Sequence, residues 1–422
     1  MRKVINFLKK LNNSINYVNK LNNELSINND YYISRMLVEN RILLKKMTNQ
    51  KLNIVLIAFE PATWLMFQSI YDTFSKSDQV NITVLVIPYA HSTLPTGTYK
   101  DDGLREYLDT LGIPYIYGYN EKTKEWIDIF ALRPDYVFYQ APYNGMYPNI
   151  LRSGYVSQFA QICYIPYGAF LQAAELEETV HPKDFFNDTS YFFLPSKLHC
   201  TMFIEQSLRR CINFDPRKVI PSGLTKTDNI TIDLLDNDSN AYRNLTVLWT
   251  PRWNTSEGVC TFFDYYDYFI DLTDKNKNIT LIFRPHPLMF QNFLKTKELS
   301  EKEIVRIEKD FTVKNRLLDK SGDYSVSFKK ADVLVSDVSS MMYEFFMYYK
   351  PVIYTHKKNF FNTFGEKMAE TFYKADNAEE LTAHINALIS GNDYKKTQRF
   401  HFIKEYIPQS NAAQVILNTI KQ

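Results

Sequence analysis

The sequence predicts an α/β protein with two Rossmann-like domains, whose parallel sheets point their strand ends at each other across a central cleft. Three observations carry this expectation. From Lys51 onward, short apolar runs alternate with helical segments, the pattern of βαβ units. Several of those runs are apolar throughout, as strands buried on both faces are. The polar clusters of the chain fall at the carboxyl ends of the runs, where open α/β sheets gather their ligands.

Length and composition set the scale. With 422 residues and 45% apolar content the chain can build two cores, since single cores stop growing near about 250–300 residues. Lys plus Arg number 49 against 47 acids; this balance excludes a dedicated nucleic-acid binder and makes any cationic site local. Cys163, Cys200, Cys211 and Cys260 lack the paired spacing that zinc requires, and read as reduced core thiols of a cytoplasmic protein. No run approaches the roughly 18–20 apolar residues of a membrane span, and the start of the chain has no signal-peptide pattern.

Residues 1–50 form a helical segment of their own. Up to Asn23 there is no acid, while Arg2, Lys3, Lys9, Lys10 and Lys20 are basic and Val4, Leu8, Leu11, Ile15 and Val18 recur at four- and three-residue steps. This predicts a basic amphipathic helix over residues 1–23 that would hold the protein at the inner face of an anionic membrane, or else a packing helix with solvated charges. Strands are expected at Asn53–Phe59, Asn81–Pro88, Tyr136–Gln140, Ile162–Pro166 and Tyr191–Leu194. A second series follows at Val219–Pro221, Thr246–Thr250, Ile279–Phe283, Val333–Ser336 and Val352–Thr355. The polar stretch Thr225–Asn244, with its Asp/Asn-rich core 233–240, reads as a loop, so the domain boundary is set near Gly223. Residues 51–223 and 224–400 form the two domains. Residues 401–422 are a terminal helix, breaking near Pro408, that returns to the first domain.

The strand ends supply the candidate chemistry. Ile279–Phe283 empties into Arg284-Pro285-His286-Pro287, and Val333–Ser336 into Asp337-Val338-Ser339-Ser340. Arg284 and His286 lie two residues apart and share a side if the extended geometry persists. His286, held between prolines, suits donation to a phosphate oxygen as charge builds on a departing nucleotide. Ser339 and Ser340 offer hydroxyls and the first N–H groups of a helix expected over Met341–Tyr349; an ordinary helix cap is the bland alternative. Glu344, one turn on, could accept hydrogen bonds from ribose hydroxyls. Tyr265, Tyr266, Tyr268, Tyr348 and Tyr349 are candidates for a sugar platform.

These residues resemble a known family. Arg284-Pro285-His286-Pro287, the segment Asp332–Glu344 and Lys350-Pro351-Val352-Ile353-Tyr354 resemble the CDP-glycerol glycerophosphotransferases of teichoic-acid and capsule synthesis, clearly over roughly 219–355 and more loosely over 53–223. The resemblance implies the GT-B fold, with a CDP-linked donor on the second domain. It makes His286 the donor-side catalytic residue, Arg284 its phosphate-contacting neighbour, Ser339 and Ser340 the pyrophosphate pair, and Glu344 the acid near the ribose. Ser222-Gly223-Leu224-Thr225-Lys226-Thr227-Asp228 stands where the family has Gly-x-Pro-Arg-x-Asp, which assigns Gly223 and Lys226 to the donor site. Asp337 joins them from its place beside the Ser pair.

Two departures shape the mechanism. Where members carry Trp-His-Gly with a His as general base, this chain has Ile165-Pro166-Tyr167-Gly168. Tyr167, with an ordinary pKa near 10, is a weak base at neutral pH, so Glu60, Glu175, Glu178 and His181 are further candidates. Members also show Pro-Thr-Trp-Arg where this chain has Trp249-Thr250-Pro251-Arg252-Trp253-Asn254, which would make Arg252 a shifted phosphate ligand. No Asp-x-Asp motif ends a strand, so no metal or other cofactor is expected. The expected reaction moves a glycerol- or ribitol-phosphate from a CDP-linked donor to a glycan or lipid-linked acceptor. The rivals are an inverting glycosyltransferase using a nucleotide sugar, a nucleotide-sugar 2-epimerase and a non-catalytic scaffold. The general base and any homo-oligomeric state are left open.

Overall fold

Leu52–Ala58 shows how the first sheet is built. Alternate side chains enter opposite cores: Ile54, Leu56 and Ala58 pack with Trp64, Phe67 and Ile70 on one face, and Val55, Ile57 and Phe59 with Tyr139 and Ile162 on the other. A strand buried on both faces must be central and parallel. In a computed structural model that describes residues 29–90, 98–172, 182–230, 244–408 and 411–422, it is both.

The strands are β1 (Leu52–Ala58), β2 (Val80–Val86), β3 (Ile116–Tyr117), a hairpin β4 (Tyr119–Asn120) and β5 (Glu125–Trp126), β6 (Tyr136–Tyr139), β7 (Gln161–Tyr164), β8 (Thr189–Leu194) and β9 (Val219–Pro221). Those of the second half are β10 (Leu245–Thr250), β11 (Ile279–Phe283), β12 (Thr312–Val313), β13 (Arg316–Leu318), β14 (Val333–Ser336), β15 (Val352–Thr355) and β16 (Tyr373–Ala375). The first sheet runs β3-β2-β1-β6-β7-β8-β9 and the second β12-β13-β11-β10-β14-β15-β16. Every pairing in them is parallel except β12 with β13. The order reverses at β1/β6 and at β10/β14, the points where such sheets open a crevice for ligands. Two Rossmann-like sheets of this kind make the GT-B architecture.

The structure corrects several expectations. Val219–Pro221 belongs to the first sheet, as an edge strand parallel to β8, reached from it through the helix Lys197–Arg209 as a βαβ unit. The short strands β3, β12, β13 and β16 carry too few residues to show a period. Cys211 is exposed, not a core thiol. Tyr265 and Tyr266 are 5% and 8% exposed in the second-domain core, and Tyr348 and Tyr349 pack against its other face, so they offer no open platform.

Residues 29–47 form a helix on the first domain. It buries Val38 and Ile42, while Arg41 donates to the Pro134 and Phe159 carbonyls at 2.8 Å and Lys45 pairs with buried Asp135 at 2.6 Å. The basic stretch 1–23 and the loop core 233–240 lie outside the described residues. At the other end, the helix Lys396–Tyr406 buries Phe402 and Ile403 in the second domain. The chain crosses back only beyond Pro408, where Ala412–Lys421 sets Ala413, Ile416, Leu417 and Ile420 into the first-domain core.

Candidate active site

Facing strand ends enclose a cleft of about 360 Å³. His286, Arg284, Ser339, Ser340, Glu344, Arg252, Lys226 and Tyr167 all line it, joined by Trp253, Tyr324, Gln172 and Thr63. The second domain supplies most of the floor because β10, β11 and β14 end there side by side.

His286 is oriented by its own loop. The Leu288 N–H donates to Nδ1 at 3.1 Å, so the neutral ring carries its proton on Nε2. Trp253 stacks on the ring, centroids 5.7 Å apart and 28° from parallel. Desolvation between the domains, then the Arg252 guanidinium, push the imidazole down to about 4. One side of the ring stays open to the cleft, where water screens part of that effect. His286 therefore stands at neutral pH as an uncharged N–H donor.

Arg284 is held rather than free. Nη1 meets Asp319 at 2.7 Å and Ser321 Oγ at 3.3 Å, and Nη2 donates to the Ser321 carbonyl at 2.7 Å. Burial favours the neutral Asp319 carboxyl, yet bonds from Ser321, Ser327 and Arg284 hold it below its ordinary range. Among the described residues, Nε and the second Nη2 proton have no protein acceptor. Tyr324 lies beneath, 5.7 Å from both the Arg284 guanidinium and the Lys226 ammonium. Its hydroxyl donates to Glu344, which also pairs with Lys226 at 3.6 Å, the two side chains being 7% and 5% exposed. Sequence reasoning missed Tyr324 and Asp319, both reached through the unrecognised strand β13.

Ser339 Oγ accepts from the Met341 N–H at 3.2 Å. The helix that follows is Met341–Phe346, shorter than the expected Met341–Tyr349. The residue before Pro351 is disfavoured in the α region, and Tyr349 has already turned to φ 60°. Ser340 lies against the first domain so closely that a Cβ on Gly168 would stand 3.2 Å from its side chain. Beside Gly168, Tyr167 reaches the cleft with its hydroxyl 3.4 Å from that of Tyr143.

The remaining expected residues play other parts. Arg252 lines the cleft, but its guanidinium already binds Glu257, the Val338 carbonyl at 2.9 Å and Gln172 at 3.0 Å, clasping the two domains. Asp337 is buried beneath the cleft, not on it. It accepts the N–H groups of Arg252 at 3.0 Å and Thr261 at 2.9 Å, and burial raises its carboxyl to about 7. Gly223 is buried, its φ of 95° making a turn that L-residues avoid. Glu60 stands behind the lining and accepts from Thr63 at 3.0 Å. Glu175, Glu178 and His181 lie outside the described residues.

Asp228 ties this floor to the rest of the chain. It accepts the Ala412 and Ala413 N–H groups at 2.6 and 2.9 Å and the Ser69 hydroxyl at 2.8 Å. The 3₁₀ turn carrying Lys226 is thereby braced by both the first-domain helix Pro61–Phe74 and the terminal helix.

A comparison with curated sequences finds no match. Among solved structures, the wall teichoic acid polymerase TagF aligns over 92% of this chain and 92% of its own at 12% identity and TM-score 0.54. A TagF variant soaked with CDPG aligns over 92% and 97%, at 13% and 0.55. UDP-GlcNAc 2-epimerase from Neisseria meningitidis, bound to UDP-GlcNAc, aligns over 87% and 99%, at 13% and 0.57. At such identities these likenesses show the shared fold. The family profile for CDP-Glycerol:Poly(glycerophosphate) glycerophosphotransferase matches residues 180–421, more than half of the chain and nearly all of the cleft floor. The chain therefore belongs to the CDP-glycerol glycerophosphotransferase family and is an enzyme of that type.

Proposed function

We propose that this enzyme transfers a glycerol- or ribitol-phosphate unit from a CDP-linked donor to a hydroxyl of a cell-surface glycan or teichoic-acid-like acceptor in envelope or capsule synthesis, releasing CMP. The observation that carries the reading is His286, stacked on Trp253 and hydrogen-bonded so that Nε2–H faces a cleft it shares with Arg284 and the Ser339–Ser340 pair.

In this scheme the acceptor oxygen attacks the β-phosphorus and the bond to the bridging oxygen breaks, the electron pair leaving with CMP. A phosphomonoester has its second pKa near about 6, so CMP can depart as a dianion without taking a proton. His286 need only donate a hydrogen bond as charge builds, with the free Arg284 N–H groups and the serine hydroxyls sharing the load. Glu344, fixed by Lys226 and Tyr324, is placed for the ribose hydroxyls. Arg252 in the lining and Asp337 beneath it act as positioning residues. The acceptor proton falls to Tyr167 or to Glu60 through Thr63. No metal or other cofactor enters this scheme.

The enzyme acts at the inner face of the membrane in this reading. Besides the basic stretch 1–23, Tyr32, Ile33, Met36, Leu37, Leu43, Leu44 and Met47 form an outward stripe on the helix 29–47, each between 53% and 74% exposed. Such a stripe suits shallow insertion among headgroups; among the described residues no helix is long and apolar enough to cross a membrane.

The test is CMP release from CDP-glycerol, CDP-ribitol, UDP-sugars and CMP-sugars by the wild type and His286→Ala. Release from one CDP-polyol, reduced at least about 100-fold in the variant, is the expected result. Turnover of a nucleotide sugar alone would move the chain to the glycosyltransferase reading.

A further inference from the structure

The half-open aromatic surface of this chain lies on the β4–β5 hairpin of the first domain. Tyr119 and Trp126 are cross-strand partners with ring centroids 4.5 Å apart, and Tyr99 meets Trp126 edge-on at 4.8 Å. Arg105, held by Asp101 through Nε at 2.8 Å, lays its guanidinium over Tyr117 at 4.1 Å. These side chains are half-buried, and Arg105, Tyr117, Tyr119 and Trp126 border a shallow concavity of about 600 Å³.

Its position connects it with the cleft. Gly118 donates its N–H to the Val86 carbonyl at 2.8 Å, which sets the hairpin at the carboxyl end of β2 and β3, the sheet edge that also carries Thr63 and Tyr167. A Cβ on Gly118 would stand 2.9 Å from Leu85, so the close approach requires glycine. From β3 to β1, which leads to Thr63, is two strand spacings, about 10 Å, whereas β7, which leads to Tyr167, is four, about 19 Å. Beneath the ground between lies buried Tyr89, whose hydroxyl donates to Asp102 at 2.8 Å and whose ionisation is opposed first by burial, then by Asp102 and Glu60.

The chemistry selects the ligand. The lining carries Arg105 and Lys122 against Glu121 and Glu125, and Asp101 neutralises Arg105. With no net positive field, the surface has little hold on a polyanion. Half-exposed rings beside Asn120, two carboxylates and a guanidinium suit a neutral ligand with apolar faces and a hydroxyl rim.

We propose that this concavity is an acceptor subsite for one or two uncharged sugar rings, holding a glycan whose terminal hydroxyl enters the cleft beside Thr63. The inference rests on the transfer reading above, and it makes the recognised part of the acceptor a glycan, not a polyol-phosphate chain.

The experiment is saturation-transfer NMR on the full chain with chitotriose, cellotriose and maltotriose, with poly(glycerol phosphate) as competitor. It uses wild type, Trp126→Leu and, in case that variant is unfolded, Tyr119→Leu. CDP-glycerol binding by thermal shift is read separately on each protein. Binding of at least one trisaccharide, weakened about tenfold in a folded variant and not displaced by poly(glycerol phosphate), supports the subsite. Absence of trisaccharide binding by a wild type that still binds CDP-glycerol overturns it. So does unchanged binding in the variants, or displacement by the polyanion. Trisaccharide binding without any CDP-glycerol binding would sink the donor reading and leave the sugar site standing.

Discussion

At the residue scale, the tautomer of His286 decides the mechanism. With Nδ1 accepting from Leu288 and the ring pushed down to about 4, the imidazole should be neutral and Nε2-protonated throughout the working range. Nitrogen-15 NMR of the labelled side chain should give a midpoint well below the usual 6.5; an imidazolium at pH 7 would refute the hydrogen-bond-donor role. Lys226→Met should leave Glu344 buried without its counter-charge. Removing one partner of a buried pair costs about 3–5 kcal/mol, so urea unfolding should show a loss of that order together with a raised KM for donor. An unchanged unfolding midpoint would show that Tyr324 suffices to satisfy Glu344. The residues lining this cleft were largely legible from sequence, because phosphate-binding groups at the ends of apolar runs are a local pattern. Tyr324 and Asp319 were not, since they enter from a three-residue strand with no period to read. The burial of Asp337 was equally hidden, depending on how the loops after β10 and β14 cross.

At the element scale, the two domains are welded by a few segments. Asn362 donates to the Phe170 carbonyl at 2.7 Å and Phe361 bridges Gln172. In the helix Thr363–Ala369, a Cβ on Gly365 would stand 2.4 Å from the Leu171 carbonyl oxygen. Gly365→Ala should therefore force the weld open and destabilise by about 1–3 kcal/mol, visible as a lower Tm; a neutral result would mean that the 170–172 segment yields freely. Nearby His199 is buried, accepts from or donates to Ser196 at 2.8 Å, and is pushed down to about 4 by desolvation. Because the unfolded ring titrates near 6.5, the unfolded state takes up the proton first. Stability should fall by about 3 kcal/mol as pH drops from 6.5 toward 4. Asp337, raised to about 7, acts in the opposite sense over much of the same window. The check is accordingly the difference between wild type and His199→Asn, and identical pH slopes would contradict it.

At the scale of the whole molecule, the membrane reading proposed above rests on the exposed apolar stripe of the helix 29–47. Leu37→Asp combined with Leu44→Asp should reduce co-sedimentation with anionic vesicles at least about tenfold while leaving CDP-glycerol turnover in solution intact. Vesicle binding at the wild-type level would remove the stripe from the membrane reading. By itself the sequence determined the fold class, ten of its strands and most of the polar residues that meet in the cleft, because alternation of apolar runs with helices, and polar residues at run ends, are short-range properties that survive without three-dimensional information. Only the tertiary structure decided which sheet takes Val219–Pro221, that the Arg252 guanidinium is held by Glu257, Val338 and Gln172 while Asp337 is buried, and that the tyrosine pairs are core while the β4–β5 hairpin stays half-open. Those outcomes depend on contacts between segments distant in the chain, such as Ile220 with Phe193 and Arg252 with Gln172 and Asp337, where packing, not local preference, determines what each side chain meets.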